Sequence, residues 1–174
     1  MPINIEIKAM CSDPDTVRDK LMELGADYVG CDHQIDTYFS VPDGRLKLRE
    51  GNIENNLIFY RRPDQSAARQ SDFYLHAVEQ SDSLKQLLEQ AFEPLIVVDK
   101  KRHIFFLGNV KFHIDEVSSL GSFVEIEASN LNYESTVEEL RKQCDHFVEQ
   151  LCIHDSQMIA SSYSDLMLAE ESNV

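Results

Sequence analysis

Apolar and polar positions alternate with a period of two over "INIEIKA" (3–9), where Ile3, Ile5 and Ile7 oppose Asn4, Glu6 and Lys8. That period predicts a strand with one apolar and one charged face. It then changes to a helical one. "SDPDTVRDKLMELGA" places Val17, Leu21 and Leu24 on one side, with Asp13 as the N-cap, Pro14 at the first helical position and Gly25 past the last turn. Four short strand-like runs follow, "QIDTYFS", "GRLKLRE", "NLIFYRR" and "DFYLHAVE", broken by the turn-rich pieces "VPDG" and "GNIENN". They predict consecutive antiparallel pairing.

A second helix, "SDSLKQLLEQAF", lines up Leu84, Leu87, Leu88 and Ala91 and leads into "VVDKKRHIFFL", "VKFHIDEV" and "SFVEIEA", with Gly108 and Asn109 forming a hairpin turn between the first two. "STVEELRKQCDHFVEQL" opens with a capping box expected from Ser135 to Glu138 and aligns Val137, Leu140, Cys144, Phe147 and Leu151. The tail "DSQMIASSYSDLML" predicts one or two shorter helices. Eight strands and about four helices, with no repeat or linker, predict one α+β domain over residues 1–174. An eight-stranded antiparallel sheet of hairpins can close into a barrel or tunnel, with helices packed outside and room for a small ligand within.

Charge narrows the function. The formal net charge is −15, from 31 acidic and 16 basic residues, which argues against a general nucleic-acid binder and against docking on anionic lipid. No basic leader with an apolar core opens the chain and no apolar run approaches membrane-spanning length, so a cytoplasmic protein is expected. Cys11, Cys31, Cys144 and Cys152 form no CxxC pair and read as free thiols, and the histidines, His146 and His154 included, show no zinc spacing.

Ten of the sixteen basic residues nevertheless fall in strand-like segments: Lys8, Arg45, Lys47, Arg49, Arg61, Arg62, Lys100, Lys101, Arg102 and Lys111. Along these strands a charged set alternates with an apolar set. Glu6 and Lys8, Lys47 and Arg49, Lys111, His113 and Asp115, and Glu125 and Glu127 each share a face. Amphipathic helices need an apolar sheet surface to cover, so the apolar faces are expected to point outward and the charged faces to line the interior. An interior rich in both signs is costly to desolvate without partners. A polyanion would satisfy the Lys and Arg groups, and a hard divalent cation would satisfy Glu125 and Glu127.

At this point the residues resemble a known family. "NIEIK" is similar to the E-x-E-x-K signature of the CYTH superfamily, the triphosphate tunnel metalloenzymes, with Asn4 in place of the first glutamate. "QIDTYF", "GRLKLRE", the "KKR" of "VVDKKRHIFFLG", the aspartate of "FHIDEV", "LGSFVEIE" and "SSYSDLM" follow in the matching order, the last most like the class IV adenylyl cyclase branch. The family includes class IV adenylyl cyclases, thiamine triphosphatases and inorganic triphosphatases. The resemblance implies an eight-stranded tunnel that binds triphosphate with Mg²⁺ or Mn²⁺. It places Glu6, Asp115, Glu125 and Glu127 at the metal, and Lys8, Lys47, Arg49, Arg62, Lys100, Arg102, Arg45 and Lys111 at the phosphates.

Glu6 and Lys8 are the residues it places nearest the chemistry. Asn4 offers a neutral oxygen instead of a charge, which implies one tightly held metal and a weaker second. Lys101 and Arg61 are expected outside, Tyr38 and Tyr163 in packing or at the rim, and His113 is open to a substrate or proton-transfer role.

The expected substrate is a small-molecule triphosphate, such as tripolyphosphate or ATP, handled by a monomer or homodimer. Three functions stay open. Hydrolysis would use water at the terminal phosphorus, and class IV cyclisation would use the ribose 3′-hydroxyl at the α-phosphorus to give cyclic AMP and pyrophosphate. A non-catalytic polyphosphate- or nucleotide-binding module would bind without turnover.

Overall fold

The computed structural model describes residues 2–61 and 69–174. Its eight strands are β1 (Ile3–Met10), β2 (Asp27–Phe39), β3 (Arg45–Glu50), β4 (Asn56–Arg61), β5 (Arg69–Ala77), β6 (Pro94–Leu107), β7 (Val110–Val117) and β8 (Gly121–Ser129). The helices are α1 (Pro14–Glu23), α2 (Ser81–Ala91), α3 (Val137–Gln150) and α4 (Tyr163–Ser172), with a 3-10 turn at Asp155–Gln157.

All eight strands join one closed antiparallel ring in the order β1-β5-β4-β3-β2-β6-β7-β8. Sequential hairpins supply most neighbours, as the turn signals predict. Closure itself comes from distant pairs: β1 lies between β5 and β8, and β2 runs beside β6 for nearly its whole length. No strand among those described is left as a free edge, which satisfies every ladder from within.

The apolar faces point outward, toward the helices. Ile5, Ile7, Phe112, Ile114, Val124 and Ile126 meet Val17 and Leu21 of α1 and Leu140, Cys144 and Phe147 of α3 in one cluster. Phe147 sets its edge against the Phe112 ring, 4.9 Å between centroids. Leu140 and Ile126 are fully buried, so truncating either to Ala costs about 2–5 kcal/mol. A smaller cluster seats Leu88 of α2 on Phe39 and Leu48.

The helix starts follow the chemistry of their caps. Asp13 accepts from the Thr16 amide at 3.1 Å, and Pro14 opens the first turn. The capping box of α3 is Thr136 with Glu139, which corrects the expected Ser135 and Glu138 by one residue. Ser135 and Thr136 are equally good caps with a glutamate three residues on, so only the docked position of α3 decides between them.

Strand ends also differ from expectation. β2 begins at Asp27, β5 at Arg69 and β6 at Pro94, each earlier than the alternation suggests. Leu95 and Val97 are exposed beside buried Ile96 and Val98 on β6, and Tyr28 and Val29 are exposed on β2, so apolar residues occupy solvent-facing positions and no apolar–polar alternation marks these segments. The "VPDG" turn requires its glycine. Gly44 has φ +73°, and a Cβ there would lie 2.8 Å from the Tyr60 carbonyl oxygen and the Phe59 ring.

One end of the barrel is filled by α4. Tyr163 packs with Tyr38, Ile96, Val98, Val117 and Phe123, partly with Leu120 and Leu166 alongside. Val117 and Phe123 share strand parity with Asp115 and Glu125, so the inner wall is apolar at this end and ionic beyond it. The expectation of a charged interior therefore holds for only part of its length.

Candidate functional site

Beyond the α4 end, the inner faces enclose a cavity of roughly 830 Å³, counted out to its open mouth. Lys8, Lys47, Arg49, Lys100, Arg102, Lys111, His113, Glu6, Glu125 and Glu127 all line it, as strand parity predicts.

Asp36 organises the cationic wall. It is fully buried on β2 and receives Lys47 at 2.8 Å, Lys100 at 3.1 Å and both Nε and Nη2 of Arg49 at 2.9 Å. Burial alone would raise its pKa, but Arg49, Lys100 and Lys47 hold it well below the usual carboxylate range. One carboxylate cannot balance three cations. Lys100 shows the surplus: burial and then the Arg102 charge push its pKa well down, against the pull of Asp36. An arriving anion would relieve that strain in charge.

Arg102 is fixed from below. Asp115 accepts from its Nε at 2.7 Å and its Nη2 at 2.6 Å, and Glu125 accepts from Nη2 at 3.0 Å. The Tyr163 hydroxyl donates to Asp115 Oδ2 at 2.7 Å, the oxygen that also accepts from Arg102 Nη2. Lys8 lies 3.2 Å from Glu125 and sits over the Tyr163 ring, 3.8 Å from its centroid. Tyr163 packs as expected and is in addition tied to the ionic network through its hydroxyl and ring face.

The carboxylate side comes from β1 and β8. Glu6 and Glu127 are direct cross-strand partners, and Lys8 pairs with Glu125 one step on. Arg69 sits 3.3 Å from Glu6. Burial would raise the Glu125 pKa, but Lys8 and Arg102 hold it well below the usual range. Glu127 moves the other way, raised by burial and by the neighbouring Glu6 and Glu125 charges despite Lys111. His113 Nδ1 donates to the Glu125 carboxylate across 3.1 Å, and burial and Arg102 bring its pKa down to about 3, so the imidazole is neutral.

A loop closes one side of the mouth. The Ile53 and Glu54 amides donate to the two oxygens of buried Asp32 at 2.8 and 2.9 Å. Gly51 packs so near that a Cβ would lie 2.7 Å from both Asp32 carboxylate oxygens. This aims Glu54 into the cavity, where it accepts from Arg49 at 3.3 Å and pairs with Lys111. The charges of Lys111 and Arg49 outweigh burial and lower the Glu54 pKa.

Two expected site residues are placed elsewhere. Asp115 is absent from the cavity lining because Arg102 and Tyr163 occupy its oxygens. Arg45 shares parity with Lys47 but lies toward the α4 end, where Asp165 takes its guanidinium at 2.7 Å. Arg62 lies outside the described residues. Lys101 and Arg61 are exposed, in line with the reading of parity, and Arg61 pairs with Asp43 at 2.5 Å.

Sequence reading missed Asp36, Glu54 and Arg69. Asp36 carried a signal, since it shares parity with Tyr38 in a strand opposite two cationic ones. Glu54 carried none, because its position depends on a contact to Asp32 twenty-two residues away.

Among the described residues, no three His, Cys, Asp or Glu side chains already converge at a metal-binding distance. The donors on the β1–β8 seam still suit a hard divalent cation. Glu6 and Glu127 supply adjacent carboxylates, Glu127 is disfavoured as an anion without a cation, and the buried Asn4 Oδ1 has no hydrogen-bond partner. Glu125 adjoins this set but is engaged by Lys8, Arg102 and His113.

Residues 2–163 match the CYTH domain family, and the chain belongs to it. A "putative adenylate cyclase" of Methanocaldococcus jannaschii is 25% identical, with 94% of this chain and 98% of that protein covered. A Pyrococcus horikoshii protein shares the fold with a TM-score of 0.82 at 24% identity, covering 94% of this chain and 98% of that one. An adenylyl cyclase-like protein of Hippeastrum, described as having a dominant triphosphatase activity, superposes with a TM-score of 0.63 at 12% identity, covering 99% and 96%.

Proposed function

We propose that this member of the CYTH domain family is a divalent-metal-dependent enzyme that hydrolyses a triphosphate held inside its barrel. The observation that carries the proposal is the surplus of basic groups around Asp36: Lys47, Arg49 and Lys100 share its buried carboxylate, and Glu54 reaches only Arg49 of the three, inside a chain of net charge −15. A phosphate chain presents several negative oxygens in a row, which suits a row of ammonium and guanidinium groups on β3 and β6.

Lys47, Arg49 and Lys100 bind the phosphate oxygens from one side. Arg102, held in a bidentate fork by Asp115, contributes from a fixed geometry and needs no rearrangement as charge develops. Lys8, braced over Tyr163, faces the seam where Glu6 lies. Water attacks the terminal phosphorus as its bond to the bridging oxygen breaks, the shortened phosphate chain leaves, and one oxygen of Glu6 takes the proton of the water. Glu127, Asn4 Oδ1 and the other oxygen of Glu6 would hold Mg²⁺ or Mn²⁺, which would neutralise phosphate charge.

Cyclisation of ATP uses the same electrostatics with the 3′-hydroxyl as nucleophile. The Methanocaldococcus jannaschii relative carries the cyclase name, whereas the Hippeastrum protein's described activity favours hydrolysis. Phosphorus NMR of the protein with tripolyphosphate and with ATP, in Mg²⁺ and then Mn²⁺, separates the readings. Orthophosphate release that falls about a hundredfold in Lys100→Gln supports hydrolysis. Pyrophosphate with cyclic AMP would instead establish the cyclase, and binding without turnover a non-catalytic module.

A further inference from the structure

His113 lies on the inner face of β7, is 1% exposed and lines the cavity. Its Nδ1 donates to Glu125 Oε2 at 3.1 Å, an oxygen that also accepts from Arg102 Nη2 at 3.0 Å, while Lys8 Nζ holds Glu125 Oε1 at 3.2 Å. Glu125 is an anion fixed from three sides, and an anion at Nδ1 keeps the ring proton there. The lone pair is left on Nε2. That atom is buried and has no hydrogen-bond partner among the described residues.

Few groups can meet this lone pair. Phosphate oxygens are themselves acceptors, so a chain held by Lys47, Arg49 and Lys100 offers Nε2 nothing. A hard divalent cation prefers the oxygens of Glu6, Glu127 and Asn4 to an imidazole nitrogen, and no three His, Cys, Asp or Glu side chains among the described residues converge on a metal position. A neutral, oriented acceptor needs an O–H or N–H donor. In the hydrolysis of a triphosphate the attacking water is that donor: one of its hydrogens leaves as a proton, and the other stays on the oxygen that joins the released phosphate.

The strand register agrees. Glu6 is the cross-strand partner of Glu127 and His113 that of Glu125, so the two flank β8 from opposite sides, one inward step apart. Burial beside Arg102 and Lys111 disfavours an imidazolium, which suits the ring to orienting the water while Glu6 takes the proton.

We infer that His113 is a further catalytic residue, whose Nε2 accepts a hydrogen bond from the attacking water and, with Glu6, aims its oxygen at the terminal phosphorus. The inference rests on the triphosphate hydrolysis proposed above. The water oxygen bonds to phosphorus as the bond to the bridging oxygen breaks. The bridging oxygen keeps the electron pair and leaves on the shortened chain, one proton passes to Glu6, and the remaining O–H stays hydrogen-bonded to Nε2.

The test separates the two ring nitrogens. An asparagine amide replaces the Nδ1 donor and has nothing at Nε2, whereas a glutamine amide reaches the Nε2 position. With tripolyphosphate and Mg²⁺, kcat of His113→Asn is expected to fall about a hundredfold while the Kd for an imido-bridged triphosphate analogue stays within about twofold, and His113→Gln is expected to keep kcat within about tenfold of the parent. Thermal unfolding checks that both variants fold. Nitrogen NMR of the parent labelled at its histidines needs no substitution, and is expected to show His113 Nε2 unprotonated.

Parental kcat in His113→Asn, or a larger loss in His113→Gln than in His113→Asn, overturns the inference and confines His113 to holding Glu125, with the triphosphate reading intact. An Nε2 that carries the ring proton overturns it in the same way. Equal losses in kcat/KM and in analogue binding make His113 a contact of the bound substrate and not of the water. A parent that releases no orthophosphate from tripolyphosphate or ATP overturns hydrolysis and this role together.

Discussion

Glu6 and Glu127 face each other directly across the seam where β1 and β8 close the barrel. Two carboxylates side by side repel, and burial adds to the cost for Glu127. A cation between them removes both penalties. Mg²⁺ or Mn²⁺ at about a hundred times its Kd is therefore expected to stabilise the protein by about 2.7 kcal/mol, a rise in Tm of roughly 5–10 °C. Differential scanning calorimetry checks it. Glu127→Gln should melt higher than the parent without metal and respond less to its addition.

Asp36→Asn takes the shared carboxylate from Lys47, Arg49 and Lys100 and leaves only Glu54, on Arg49, as a counter-charge to the three. Loss of one partner from a buried ionic cluster costs about 3–5 kcal/mol. The pH dependence has a definite sign. Asp36 has a folded pKa depressed below its ordinary value of 3.8, so its stabilising contribution is fully present above that value and is lost as pH falls toward the folded pKa. Denaturant titrations between pH 7 and 2 should show the parent losing stability in the acid limb, with a shallower loss in the variant. Equal slopes would mean that Asp36 does not carry this linkage.

Tyr163→Phe deletes the hydroxyl that donates to Asp115 at 2.7 Å while keeping the ring under Lys8. A buried hydrogen bond to a charged acceptor contributes about 1.5–3 kcal/mol. The expected outcome is destabilisation of that size together with reduced turnover, because the Asp115 fork positions Arg102. Unfolding and initial rates measured on one preparation test both parts. Unchanged turnover in a destabilised variant would confine Tyr163 to structure.

Glu54 occupies Arg49 and Lys111 at the cavity mouth, so it competes with any incoming anion. Glu54→Gln is expected to tighten binding of a triphosphate analogue by roughly tenfold, the scale of one charge-assisted contact of about 1.4 kcal/mol. Equilibrium titration at fixed ionic strength measures it. Weaker binding in the variant would mean that Glu54 orders the cations instead of blocking them.

Period-two alternation carried most of the fold by itself. Ile5 and Ile7 against Glu6 and Lys8, and Val124 and Ile126 against Glu125 and Glu127, fixed which face meets a helix, because a one-residue error would bury every charge under α3. Helix caps and the Gly108–Asn109 turn are similarly local and were legible for that reason. The family resemblance then named the cations that line the cavity, Lys47, Arg49, Lys100 and Arg102 among them.

Only the tertiary structure decided how those charges are shared. Asp36 gathers three cations from two neighbouring strands, Asp115 is withdrawn beneath Arg102, and Arg45 is diverted to Asp165 at the α4 end. Parity says which way a side chain points but not how far along the barrel it lies, nor which loop or helix reaches it first. Strand stagger on closure sets that depth, and it depends on β1 meeting β5 and β8, contacts between residues about 65 and 120 positions apart that no local pattern encodes.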